Sequence, residues 1–262
     1  MCSRRCVSSS GATVATAGST GSRVGLYRDQ GVVLRSIRLG EADRIVSFIT
    51  EGRGKVRAVA KGVRKTKSRF GARLEPTVHV SLLLYEGREL DIVTQAEAID
   101  HFRAVREDLD RLTRATQMLE AVDQVAQERH ANVALYQMLV GALRALAAHD
   151  APLIVPAFFW KLLSLEGFHP VLETCATCGA TDDLVAFDLS QGGVLCSTCG
   201  RGALPLGPGS LDLLRRILGG GLAPALNEPA GPATDEIAHL ATRALEHHLE
   251  RRLRSMALLD RG

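Results

Sequence analysis

Between Tyr27 and Ala98 the chain runs through five short β-type segments, apolar and polar residues alternating or briefly all apolar, with glycine at the turns. They span 31–39, 44–50, 55–62, 77–85 and 89–98. Five short strands in so little chain fit a small closed barrel, because closure removes the unpaired edges of a sheet. Near Phe102 the period lengthens to that of helices. Leu109, Leu112, Leu119, Val122 and Val125 form one stripe, and Leu135, Leu139, Leu143 and Leu146 form another over 134–148. Pro152 and Pro156 flank an apolar third segment, 157–165, which reads as core and which Gly167 stops. A short helix at 210–218 ends in three glycines, and a proline-rich linker follows over 222–232. Thr234 reads as the N-cap of a last helix that ends in Arg251, Arg252 and Arg254. The pattern predicts an α+β protein: an N-terminal five-stranded barrel of the oligonucleotide-binding (OB) type, by analogy, then a helical domain.

Charge divides along the same line. Residues 1–102 hold 17 Lys and Arg against 10 Asp and Glu, whereas residues 103–262 hold 15 against 19. The excess is concentrated between Gly52 and Leu74, where Arg53, Lys55, Arg57, Lys61, Arg64, Lys65, Lys67, Arg69 and Arg73 follow one another without an acid. This stretch starts as a strand with Val56, Ala58 and Ala60 on one face and Lys55, Arg57, Val59 and Lys61 on the other. It continues as a loop too polar to be core. A basic strand and loop can hold phosphates through many weak contacts, so these nine residues are the candidate nucleic-acid surface. Aromatic residues are only 4% of the chain, leaving Phe48, Phe70 and Tyr85 as candidates for stacking on bases. No apolar run approaches the roughly 18 residues that span a bilayer. Residues 1–25, rich in Ser, Gly, Ala and Thr, read as a disordered tail and a possible start-site artefact.

One motif carries metal chemistry. Cys175, Cys178, Cys196 and Cys199 make two C-x2-C pairs, each followed by glycine. Four thiolates at this spacing complete a tetrahedral Zn²⁺ shell with no open position, which is a structural rather than a catalytic site. Two disulfides are the competing reading, which a reducing cytosol disfavours. No Lys or Arg lies between Gly167 and Gly200, so the finger is a poor phosphate binder. No phosphate-binding glycine loop, nucleophile elbow or catalytic histidine set is present, and a zinc-dependent nuclease conflicts with a closed site. The chain reads as non-enzymatic.

Gly31–Leu34, Gly40–Val46, Gly54–Gly62, Lys67–Phe70 and Leu74–Pro76, with Gly167–Pro170 before Cys175 and Gly192–Gly193 before Cys196, resemble the RecO family of bacterial recombination mediators, in its zinc-bearing branch. The resemblance implies an OB-fold domain at 26–101 and a helical domain at 102–262 with a zinc finger at 170–203. It further implies a cytoplasmic, nucleoid-associated protein that binds single- and double-stranded DNA and anneals complementary strands. With RecR, such a protein helps load RecA onto DNA coated by single-strand binding protein (SSB). Some members dock the acidic SSB tail in the helical domain. An RNA-binding or translation-associated OB-plus-zinc protein is the alternative the residues leave open.

Overall fold

The computed structural model describes residues 25–64, 68 and 70–255. The expected N-terminal tail before Gly25, and Lys65, Lys67 and Arg69, lie outside these residues. Five strands, β1 (Leu26–Leu39), β2 (Asp43–Thr50), β3 (Gly54–Ala60), β4 (His79–Tyr85) and β5 (Asp91–Asp100), close a barrel in the order β1-β2-β3-β5-β4. Alternation fixes the faces: β3 buries Val56, Ala58 and Ala60 and turns Lys55, Arg57 and Val59 outward. A bulge between Val33 and Arg35 places Leu34 against the helical domain and returns Arg35, Ile37 and Leu39 to the outside.

The basic loop is less polar in the fold than in the sequence. Phe70 and Leu74, the latter in a 3-10 turn over Gly71–Leu74, are fully buried in the barrel core beside Val33, Phe48 and Leu82. Phe48 and Phe70 are therefore core residues rather than stacking platforms, and of the three aromatic candidates only Tyr85 is exposed.

The rear of the chain forms α1 (Arg103–Arg106), α2 (Leu109–Val125), α3 (Val133–Ala148), α4 (Ile154–Leu165), α5 (Ser210–Leu218), α6 (Leu222–Leu226) and α7 (Pro232–Leu249). Asp108 and Asn132 cap α2 and α3 by accepting from Arg111 N at 2.9 Å and Leu135 N at 3.0 Å. The central helix α4 is buried on nearly every side, with Phe158, Phe159 and Trp160 inside as expected of core. Pro156 sits in its first turn, where a missing N–H costs nothing, so the helix starts before this proline rather than after it.

The last helix differs at both ends from the sequence reading. It starts at Pro232, and Thr234 instead sits in the first turn, bonded to both the N–H and the C=O of Gly231 at 2.8 Å. It stops at Leu249 because Glu250 turns left-handed (φ 53°), so Arg251, Arg252 and Arg254 lie beyond the helix and cannot serve its final turn. Part of the expected linker is the short helix α6.

Between α4 and α5 the cysteine segment folds into a small sheet, β6 (Leu184–Asp188), β7 (Gly193–Cys196) and β8 (Leu204–Pro205). Phe187 meets Trp160 edge-on at 5.8 Å, which seats the finger on the helical core. Barrel and helices share that core as well: Val32, Leu34 and Ile49, on the outer face of the barrel, belong to the same buried cluster as α2, α3 and α4.

Candidate nucleic-acid surface and metal centre

The weak point of the barrel is the parallel seam between β3 and β5, held only by the pairs Ala58–Asp91 and Val59–Ile92. The connection between α2 and α3 closes it. Lys55 N donates to Gln127 O at 3.4 Å and Arg129 N donates to Lys55 O at 2.9 Å, a short β-bridge on the free edge of β3. Gly54 permits this approach: a Cβ there would stand 1.8 Å from His130 O, and its φ of +67° is left-handed. Arg129 then reaches Asp91 at 2.8 Å and Glu86 at 3.4 Å. Asp91, fully buried, also accepts from the Tyr27 hydroxyl and from Gly87 N at 3.0 Å. Burial, followed by the Asp91 bond, raises the Tyr27 pKa.

This joint engages part of the basic stretch. Lys55 Nζ lies 2.8 Å from Asp123 Oδ1 on α2 and donates to the main-chain carbonyl of the same residue, both side chains being nearly buried. Arg35 Nε meets the other Asp123 oxygen at 2.9 Å. Arg53 pairs with Glu86 at 3.1 Å and lies over the Tyr27 ring at 3.7 Å. Arg57 faces Glu128 at 3.6 Å, a half-exposed contact. Arg64 is exposed and donates to Gly40 O at 3.3 Å and Glu41 O at 2.8 Å, bracing the β1–β2 turn. Arg73 donates to Phe70 O at 3.3 Å. Lys61 is exposed and, among the described residues, is in no ion pair. The acidic partners Asp123, Glu128 and Glu86 were not legible in the sequence, since nothing in a helix or a connecting loop announces which barrel residue it will meet.

Beside these charges runs an outward apolar row. Cross-strand pairing links Leu26, Tyr85, Ile92, Val59, Ile45 and Ile37 in turn, around the barrel. Leu26, Tyr85 and Ile37 are 61%, 43% and 47% exposed. The adjoining row carries Arg35 and Arg57, each facing an acid from the rear of the chain, on either side of the buried Ser47. Such a surface offers apolar contact flanked by cations.

The four cysteines come together as their spacing predicts. Their sulfurs all lie within 4.8 Å of one another, and Cys178 Sγ is 3.8 Å from Cys196 Sγ. A tetrahedral ion with bonds of about 2.3 Å spaces its sulfurs by about 3.8 Å, so the set fits a metal ion. Gly179 N bonds Cys175 O at 2.9 Å and Gly200 N bonds Cys196 O at 2.8 Å, one tight turn per pair. Amide N–H groups of Cys196 and Cys178 lower the Cys175 thiol to about 6, whereas hydrogen bonds to Cys178 and Cys196, with burial, push Cys199 up to about 12. The cluster holds one thiolate readily and resists more until a cation offsets them.

A recess lies in the helical domain: a cavity of about 290 Å³ between α3, α4 and α6, walled by Met138, Ala142, Ile154, Phe158 and Leu226, with Lys161 contributing a charge.

An OB barrel fastened to a helical domain that carries a four-thiol knuckle defines a narrow architectural class. Family models named Recombination protein O N terminal and Recombination protein O C terminal match residues 24–102 and 106–257. The chain is 45% identical over 244 residues to DNA repair protein RecO of Nocardioides sp., spanning 90% of this chain and all of that protein. It is 43% identical over 242 residues to DNA repair protein RecO of Frankia casuarinae, spanning 90% and 99%. The chain belongs to the RecO family.

Proposed function

We propose that this protein is a non-enzymatic mediator of DNA repair and homologous recombination. It binds single- and double-stranded DNA, anneals complementary strands, and with RecR helps load RecA onto SSB-coated DNA in the bacterial cytoplasm, at the nucleoid. The observation that carries the reading is similarity, over 90% of this chain, to proteins named DNA repair protein RecO. No helix among the described residues is long and apolar enough to cross a membrane.

On this reading the DNA surface is the outward part of the basic stretch beyond Lys55. Arg57, Lys61 and Arg64 face solvent, Lys65, Lys67 and Arg69 continue the loop in sequence, and Arg73 closes it. Arg53 and Lys55 mainly secure the barrel. Phosphates meet the cations while bases lie along the apolar row with Tyr85, so binding is weakly sequence-selective. Annealing follows when the same cations screen two strands from each other. One structural Zn²⁺ on Cys175, Cys178, Cys196 and Cys199 braces the helical domain. In the helical domain, the apolar cavity with Lys161 on its wall is the candidate seat for the acidic SSB tail.

The test is a salt titration of single-stranded DNA binding. Replacing Arg57 and Lys61 by alanine is expected to make the slope of log K against log salt shallower by about 1.4, from about 0.7 per lost phosphate contact. Tyr85→Ala is expected to weaken binding with the slope unchanged. An unaltered affinity and slope in the first variant refutes the surface. Competition between DNA and RNA of one sequence separates this reading from an RNA-binding protein.

A further inference from the structure

The structure leaves the sequence's second basic cluster in an unforeseen place. Arg251, Arg252 and Arg254 follow the end of α7 in a turn, and all three are exposed. The backbone of that turn is held firmly. Leu253 is buried, and its N–H donates to Glu246 Oε1 at 3.0 Å. The carboxylate of Glu120 on α2 accepts from Arg254 N at 2.8 Å and from Ser255 N and Oγ at 2.8 and 2.6 Å. Arg251 reaches Gln124 Oε1 at 2.5 Å. Among the described residues none of the three guanidinium groups is in an ion pair.

Glu120, Asp123 and Gln124 stand at spacings of three and four on α2, hence on one helix face. Glu120 and Gln124 hold the arginine turn, and Asp123 between them holds Arg35 of the barrel. Arg35 in turn heads the cross-strand row Arg35–Ser47–Arg57, and the exposed Lys61 follows in the turn just past the end of β3. One helix face therefore sets the turn beside the barrel's outer cations.

We infer that the turn Arg251–Arg254 is a second phosphate-binding segment, which continues the single-stranded DNA track from the barrel across the end of α2 onto the helical domain. This inference rests on the proposed DNA-binding function. A pinned backbone with unneutralised guanidinium groups loses little freedom on meeting phosphates, which favours such contacts. The expected footprint is longer than one barrel covers.

The test compares full-length protein carrying Arg252→Ala/Arg254→Ala with a barrel variant, Arg57→Ala/Lys61→Ala, on oligothymidylates of about 10 and about 40 nucleotides, given that one OB barrel covers about 4–16. The turn variant is expected to bind the long strand with a salt slope shallower by about 1.4 and the short strand as the parent does. The barrel variant is expected to lose on both. Arg252→Lys/Arg254→Lys, which keeps the charge, is expected to restore the slope, and equal melting temperatures show that the fold is intact. A turn variant equal to the parent on both strands overturns the inference while leaving the barrel surface standing. Equal losses on both strands also overturn it, since the turn would then belong to the barrel's own footprint. A barrel variant without any defect instead removes the proposed function itself.

Discussion

Replacing Asp123 by alanine tests whether the basic strand is first a structural element. Asp123 is the shared anion for Lys55 and Arg35, and the side chains of Asp123 and Lys55 are only 10% and 12% exposed. Its removal strands an ammonium in the joint between barrel and helices. Breaking a buried pair from one side costs about 3–5 kcal/mol. Because the pair is about a tenth exposed and Lys55 keeps its bond to the main-chain carbonyl of residue 123, the expected loss is about 2–4 kcal/mol, the half-exposed Arg35 adding little. With a urea m-value of about 2 kcal/mol/M, the midpoint falls by about 1–2 M. Fluorescence of Trp160, the single tryptophan and fully buried, reports the transition. The half-exposed pair Arg57–Glu128 provides the contrast, since Glu128→Ala is expected to cost less than about 1 kcal/mol. The double variant Lys55→Met/Asp123→Leu is expected to recover most of the loss, an apolar pair replacing an ionic one, and to bind DNA as the parent does. A loss below about 0.5 kcal/mol in Asp123→Ala, or no coupling between the two positions, refutes the reasoning. Lost DNA affinity in a stable double variant would place Lys55 on the DNA instead.

Further outcomes follow from neighbouring features. Gly54→Ala puts a methyl group against His130 O and strains a left-handed φ; a loss of about 2 kcal/mol or more is expected in the same denaturation assay. His79 is buried, with Nε2 at 2.7 Å from the Tyr136 hydroxyl and, among the described residues, no partner for Nδ1, and burial followed by the Arg144 charge lowers its pKa. The unfolded chain then takes up a proton near the ordinary value of 6.5 that the folded chain refuses. Stability should therefore fall as pH drops below about 6.5, level off beneath the folded value, and do so less steeply in His79→Gln. Cys196→Ser, or chelation, is expected to release one metal equivalent by elemental analysis and lower the melting temperature, because Phe187 and Val194 of the finger sheet pack in the helical core. Melting unchanged after complete metal removal contradicts a structural ion.

The chain's periodicities reached far into the fold. Alternation over residues 54–60 assigned the inner and outer faces of β3, and the stripes at Leu109–Val125 and Leu135–Leu146 located α2 and α3. These are local consequences of backbone geometry, which a sequence carries in full. The two C-x2-C pairs likewise announced a four-thiol cluster, because a metal knuckle is closed mostly by residues near in sequence. Phe70 and Leu74 were misread, since local composition made their segment look solvated while the barrel end needed filling. The end of α7 was misread because Glu250 turns the chain with no glycine to mark it.

For function, the sequence by itself supplied a basic front, a metal knuckle and a family resemblance, and it located the nine cations as one uninterrupted run. Only the tertiary structure sorted the six of them that lie among the described residues. Charge is a property of a residue, but its availability depends on what stands opposite, and Asp123, Glu128 and Glu86 arrive from positions far along the chain. The same long-range packing turned Arg35 and the Arg251–Arg254 turn, separate in sequence, toward one face of α2. Periodic burial is set within a few residues; the pairing of charges is set by how whole elements dock.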